Sequence, residues 1–153
     1  MNDLPIEFRR ESYSVSTDRA RLDLEAVLTM LRVTHWGSDL TSEALGRAAA
    51  NSLCFGLYHG TVQLGFARVI TDLATYGYLT DVVIAQPYRG QGLGEWLLEC
   101  ILAHPDLQRL RRLALLSRDS PELYARFGFV PGAGSQSYME LLGGASARRR
   151  RTD

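Results

Sequence analysis

The sequence predicts one α/β domain, a mixed sheet with helices on both faces, in the order β-α-α-β-β-β-α-β-α-β. Three observations carry that expectation. Between Leu53 and Ile84, three strand-like runs succeed one another across short turns, the pattern of an antiparallel meander. The β-branched run Val82-Val83-Ile84 then passes through a loop with glycines at 90, 92 and 94 into an apolar helical stripe. Leu113 to Leu116 is all apolar, which reads as a strand buried on both faces.

Taken in order, residues 1–5 read as a frayed start and residues 7–14 as a first strand, marked by Ile6, Phe8, Tyr13 and Val15. Ser16-Thr17-Asp18 offers capping side chains for a helix over 19–32. Thr41-Ser42-Glu43 opens a shorter, alanine-rich helix to about Asn51. Strands are expected next over 53–59, 61–70 and 76–84. Leu93, Trp96, Leu97, Cys100 and Ile101 place one apolar stripe on a helix over 92–103, which His104-Pro105 closes. Ser120-Pro121-Glu122 is a helix start, and Gly128 is suited to a left-handed stop. Phe129-Val130 and Ser137–Leu142 read as returning strand. The domain is expected over 1–142, with 143–153 a disordered arginine-rich tail.

Composition excludes several function classes. Seventeen basic and 17 acidic residues cancel, so no global field draws the chain to nucleic acid or to an anionic membrane. All the basic residues are arginine, and a Walker-type phosphate loop needs a lysine. Cys54 and Cys100 are widely separated, without metal-ligand spacing or clustered histidines; no metal is expected, and both read as buried, reduced thiols. Charges run through the first thirty residues and no apolar stretch reaches membrane-spanning length, so the expected location is cytoplasmic.

The glycine loop carries the chemistry. A dinucleotide fingerprint would need glycines at 90, 92 and 95, but Glu95 fills the third place and the strands ahead form a meander rather than a parallel unit. What remains is R-x-x-G-x-G at Arg89, Gly92 and Gly94, between a strand and a helix start. Glycines allow close backbone approach, and the helix dipole favours an anion there.

The segment Gln86-Pro87-Tyr88-Arg89-Gly90-Gln91-Gly92-Leu93-Gly94 resembles motif A of the GCN5-related N-acetyltransferase (GNAT) superfamily. Leu123-Tyr124-Ala125-Arg126-Phe127-Gly128-Phe129-Val130 resembles its L-Y-x-x-x-G-F signature. The resemblance covers residues 7 to about 142. It implies an acetyl-coenzyme A-dependent N-acetyltransferase that acts on a primary amine by direct attack in a ternary complex; the fold does not choose the amine, and the acceptor expected is a small molecule in preference to a protein. Acetyl-coenzyme A is the implied co-substrate. Its pyrophosphate is assigned to the backbone of Arg89, Gly90, Gln91, Gly92, Leu93 and Gly94, and its pantetheine arm to Val82, Val83 and Ile84. A free N–H in that strand would polarise the thioester carbonyl, provided the strand splays from its neighbour at 113–116.

Tyr124 matches the tyrosine that protonates the departing thiolate; the plain alternative is a core aromatic beside Leu123 and Phe127. Asp81 is the candidate base, because a charge inside an apolar strand needs a reason, and a satisfied structural carboxylate is the alternative. His35, Trp36, Arg68, Tyr76 and Tyr78 are the acceptor-site candidates. Arg68, in mid-strand, calls for an anionic partner: Asp72 or Asp81 within the chain, or an acid on the substrate. A histidine in a loop or turn, as at His35 and His59, is ordinarily solvated. Many relatives pair, which leaves a homodimer open. A competing expectation is a non-enzymatic acetyl-coenzyme A sensor of the same fold. A third, that Arg148–Arg151 binds a polyanion, competes with a solvated tail.

Overall fold

A computed structural model describes residues 4–132 and 137–143. Residues 1–118 and 119–153 form two compact units. The arginine run at 148–151 lies outside the described residues.

The first unit is built on a six-stranded sheet whose strands lie in chain order. The strand expected over 7–14 is instead a hairpin: β1 (Glu7–Arg10) turns at Glu11, φ 55°, into β2 (Tyr13–Ser16). Glu11 gives no turn signal in the sequence, because glycine, and less often asparagine or aspartate, advertises a left-handed residue. The expected helix over 19–32 starts later. Asp18 caps a single 3-10 turn over Arg19–Arg21, and Asp23 then caps α1 (Leu24–Arg32) by accepting from the Ala26 amide. Two aspartates five residues apart compete for one helix start, and the second wins the α-helix. Thr41 caps α2 (Ser42–Ala50) through the Ala44 amide, as its sequence suggests.

β3 (Leu53–His59), β4 (Val62–Thr71) and β5 (Tyr76–Ile84) form the antiparallel meander. α3 (Leu93–Ala103) and the short α4 (Pro105–Gln108) carry the chain over to β6 (Arg112–Leu115), which pairs parallel with β5. Val27, Leu28, Met30 and Leu31 of α1 pack with Leu45 and Ala49 of α2 against Cys54, Phe66 and Val83 of the sheet. Each such aliphatic side chain contributes about 1.5–3 kcal/mol by leaving water. On the opposite face α3 buries Leu93, Trp96, Leu97, Leu98, Cys100 and Ile101, a wider stripe than the sequence periodicity marks. β6 is not buried on both faces: its residues are only partly covered and Leu116 beyond it is 61% exposed. Among the described residues it pairs with β5 alone, so it is an edge rather than an interior strand.

The second unit holds α5 (Pro121–Ala125). Beyond it the Gly128 amide donates to Ala125 O and the Phe129 amide to Tyr124 O, with Gly128 at φ 95°. This pair of bonds is a Schellman closure. It explains why Phe129-Val130 is not strand: the Phe129 amide is spent on the helix end. Residues 137–142 also form no strand, and Tyr138, Met139 and Leu141 are exposed. Alternation alone makes no strand without a ladder partner to complete its backbone hydrogen bonds.

Candidate active site

β5 is two strands in one. Over Tyr76–Leu79 it is paired on both sides, with β4 and, from Tyr76↔Arg112 to Leu79↔Leu115, with β6. Over Thr80–Ile84 the β4 ladder continues through Val83↔Phe66 and Ile84↔Gly65, but the β6 register has ended. Among the described residues Val82–Ile84 therefore present a strand edge on the side that β6 has left. An unpaired edge of this kind is a template for an extended ligand.

The edge leads directly into the glycine loop. A 3-10 turn over Gln86–Tyr88 is succeeded by Gly90 at φ 78° and Gly92 at φ 79°, with Gly92 the N-cap of α3. A Cβ at either would meet nothing within 4 Å, so the glycines answer to backbone conformation and leave open space. The first helical bond runs from the Trp96 amide to Gly92 O, so the Leu93 and Gly94 amides precede the ladder, and no side chain caps them. Gly94 faces the strand, where an added Cβ would lie 3.7 Å from Ile84 Cγ1. Arg89 folds back, its Nε donating to Ile84 O at 2.9 Å, so its cation is held between the strand end and the loop.

Asp81 marks where the two halves of β5 divide. Between the pairs Phe66↔Val83 and Arg68↔Thr80, one β4 residue, Ala67, faces two of β5, Asp81 and Val82. This is a β-bulge whose first residue is left-handed: Asp81 has φ 56°. Its carboxylate accepts from Arg68 Nε at 2.7 Å and from Trp36 Nε1 at 3.2 Å. The ion pair is largely covered, with Arg68 16% and Asp81 10% exposed. Arg68 is braced in turn by Ser52, whose Oγ accepts from Nη1 at 3.1 Å and donates to Ala48 O at 2.7 Å.

Asp81 is thus the internal partner that Arg68 calls for. Asp72 is occupied by its own turn, accepting from Thr75 Oγ1 and from the amides of Ala74, Thr75 and Tyr76, which hold its carboxyl well below the usual range. His35 meets Trp36 edge-on, ring centroids 5.0 Å apart. Tyr78, across from Ile70, lies on the same sheet face as Arg68, as strand alternation requires; Tyr76 belongs to that face and is 44% exposed. Trp36, Arg68 and Asp81 are therefore in contact, and Tyr76 and Tyr78 share their face farther down the strand. Cys54 lies under the same network; burial pushes its thiol up to about 11 against the opposing influence of Arg19 and Arg68, and both cysteines are free.

In the second unit, burial raises the Tyr124 phenol above its ordinary value and keeps it protonated at neutral pH. Its ring meets Phe129 edge-on at 5.9 Å, the hydrophobic contact that accompanies the Schellman closure. The spacing Tyr124-x-x-x-Gly128-Phe129 is therefore one structural device: a glycine to end the helix and a phenylalanine folded back onto the tyrosine.

Comparison with known proteins agrees with this architecture. Residues 50–131 match the model of an acetyltransferase (GNAT) domain, a span that includes β5, the glycine loop and Tyr124. The chain is 35% identical over 160 residues to a Gibberella zeae protein named, by inference, an acetyltransferase; the match covers 91% of this chain and 88% of that protein. The chain belongs to the GNAT acetyltransferase family. A crystal structure of a GNAT-family protein from Xanthomonas campestris, also named an acetyltransferase by inference, is 42% identical and superposes with a TM-score of 0.81. It covers 86% of this chain and 93% of its own. A GNAT acetyltransferase from Elizabethkingia anophelis, solved with acetyl-coenzyme A bound, shares the fold at a TM-score of 0.64 and 13% identity, covering 81% of this chain and 80% of its own.

In this GNAT acetyltransferase the sequence motifs point to the loop and to Tyr124, but two supports behind Asp81 are not legible in them. Ser52 is buried, and Arg19 donates to both Ala49 O and Ser52 O, tying the end of α2 to the start of β3. A serine two residues past the end of α2 is the only available signal. Among the described residues no helix is long and apolar enough to cross a membrane, and no group of His, Cys, Asp and Glu could hold a metal ion.

Proposed function

We propose that this GNAT acetyltransferase moves an acetyl group from acetyl-coenzyme A to a primary amine, a small molecule in preference to a protein, by direct attack in a ternary complex. The observation that carries the reading is the end of β5–β6 pairing at Leu79↔Leu115, while β5 runs on to Ile84 and into an uncapped helix start. That arrangement joins an extended-ligand edge to an anion-binding loop, and acetyl-coenzyme A has both parts: an amide-bearing arm and a pyrophosphate. The residues suit it. Gly90 and Gly92 leave the backbone open to approach, the Leu93 and Gly94 amides lie ahead of the helical ladder, and Arg89 adds a cation beside them.

In the reaction the amine nitrogen bonds to the acetyl carbon as the carbon–sulfur bond breaks. An amide of the Val82–Ile84 edge takes the role of donor to the carbonyl oxygen as negative charge grows there. Tyr124 is the proposed acid for the departing sulfur; its burial favours the protonated phenol that the role requires. The amine's proton passes to water, because both oxygens of Asp81 are engaged by Arg68 and Trp36. His35, Trp36, Tyr76 and Tyr78 remain the proposed acceptor-side residues.

The test is release of free thiol from acetyl-coenzyme A across a panel of small amines, amino acids and peptide N-termini, with acetylated product identified by mass. Amine-dependent release is expected from the small-molecule set. Tight calorimetric binding without release on any amine would instead leave a binding module.

A further inference from the structure

The position of Asp81 carries more than a candidate base. Three observations converge on it, and each comes from a different element. Its backbone is left-handed, φ 56°, in the one place where β4 and β5 change register. Its carboxylate is gripped from β4 by Arg68, which Ser52 braces against the end of α2. From the segment between α1 and α2, Trp36 donates to its other oxygen although the indole itself is 48% exposed.

A non-glycine residue stays at positive φ only when its surroundings impose it, and aspartate tolerates that region better than most residues. A bulge re-aims the strand beyond it. Here that strand is Val82–Ile84, the edge from which β6 has departed.

We propose that Asp81 is a positioning residue and not the proton acceptor: the Ser52–Arg68–Asp81–Trp36 chain locks the left-handed bulge and thereby aims the Val82–Ile84 edge at its ligand. This rests on the acetyl-coenzyme A reading of that edge. It assigns Arg68 to the same task, so neither Arg68 nor Ser52 needs to touch substrate for its loss to be felt. Trp36 then links the acceptor-side segment to the cofactor-side strand through one carboxylate.

The decisive experiment compares Asp81→Asn, Asp81→Ala and Arg68→Met in the full chain by acetyl-coenzyme A calorimetry, steady-state kinetics against pH and circular dichroism. Asparagine tolerates positive φ but offers one side-chain oxygen to the two donors, Arg68 and Trp36, so Asp81→Asn is expected to raise Kd by less than Asp81→Ala does, with an unchanged pH profile. Asp81→Ala and Arg68→Met are each expected to raise Kd by about tenfold or more, since each leaves a largely covered partner unpaired and releases the bulge. The Asp81→Ala/Arg68→Met double variant should be no worse than either single change, because the two residues act as one unit.

If Asp81→Asn instead lowers kcat by about a hundredfold at unchanged Kd and abolishes the acid limb of the pH profile, Asp81 is the base and the inference fails. Should Asp81→Ala not fold, the asparagine and methionine variants decide the matter by the same readings. Wild-type protein that fails to bind acetyl-coenzyme A would remove the underlying reading; wild-type binding with every variant unchanged would remove only the positioning role.

Discussion

The two halves of β5 are built from the same kind of residue and end in opposite situations. Tyr76–Leu79 lies between two strands and is tightly packed: a Cβ added at Gly77 would come within 2.8 Å of Leu110 Cδ1 and 3.0 Å of Leu113 Cδ1. Among the described residues Thr80–Ile84 pairs with β4 alone, and it runs into a loop where Cβ atoms at Gly90 and Gly92 would meet nothing within 4 Å. Only the Asp81 bulge separates them. The first half anchors the sheet, and the second is a backbone surface left available because nothing in the first unit claims it. A glycine therefore means opposite things in the two halves: at 77 it makes room for neighbouring side chains, and at 92 it supplies a dihedral.

That contrast can be tested from its strongest consequence downward. Tyr124→Phe should separate holding from chemistry: kcat is expected to fall by roughly a hundredfold or more while acetyl-coenzyme A affinity, read by calorimetry, changes little. Because the Tyr124 phenol is raised by burial, its proton is kept through neutral pH. The alkaline decline of wild-type turnover should therefore lie beyond the ordinary tyrosine range, and the phenylalanine variant should lack that limb. An unchanged kcat would remove Tyr124 as the acid.

Gly92→Val attacks the open half directly. Valine resists φ 79°, and a strain of a few kcal/mol corresponds to a loss of acetyl-coenzyme A affinity of roughly a hundredfold, with the fold retained by circular dichroism. Retained affinity would dissociate the loop from the ligand. Gly77→Val should do the reverse in the closed half, lowering unfolding stability by about 1–3 kcal/mol in a denaturant titration through overpacking.

The smallest effect belongs to the far end of α3, a control for the loop at its start. His104 is buried, its Nδ1 accepts from the Asp106 amide, and burial lowers its pKa against the opposing pull of Asp106. The unfolded chain therefore takes up the proton first, and this contribution is present above about pH 6.5 and lost as pH falls below it. The difference in Tm between wild type and His104→Asn, which retains a capping acceptor, should shift against the wild type between pH 7 and pH 5. Acetyl-coenzyme A binding at neutral pH should not change.

The fold was legible in the residues wherever the signal was local. Glycines at 90, 92 and 128 all take positive φ, which is why the loop and the end of α5 could be read. Thr41, and Ser120 ahead of Pro121, marked helix starts for equally local reasons. The failures share a cause as well. The β1–β2 hairpin turns at Glu11 and the bulge at Asp81; glutamate does not announce a left-handed backbone, and aspartate within an apolar strand announces it only weakly. For the expected strands after Gly128, the residues themselves do not say whether a ladder partner is present.

By itself, then, the sequence determined the meander, the glycine loop between strand and helix, and the tyrosine–glycine–phenylalanine closure, because caps, turns and periodicity are set by neighbours a few residues apart. Only the tertiary structure decided where β6 stops along β5, and that the partner of Arg68 is Asp81 and not Asp72. The second choice depends on groups brought together from α2, β4, β5 and the segment carrying Trp36. No spacing within one element encodes either choice, and the first leaves Val82–Ile84 without a β6 partner.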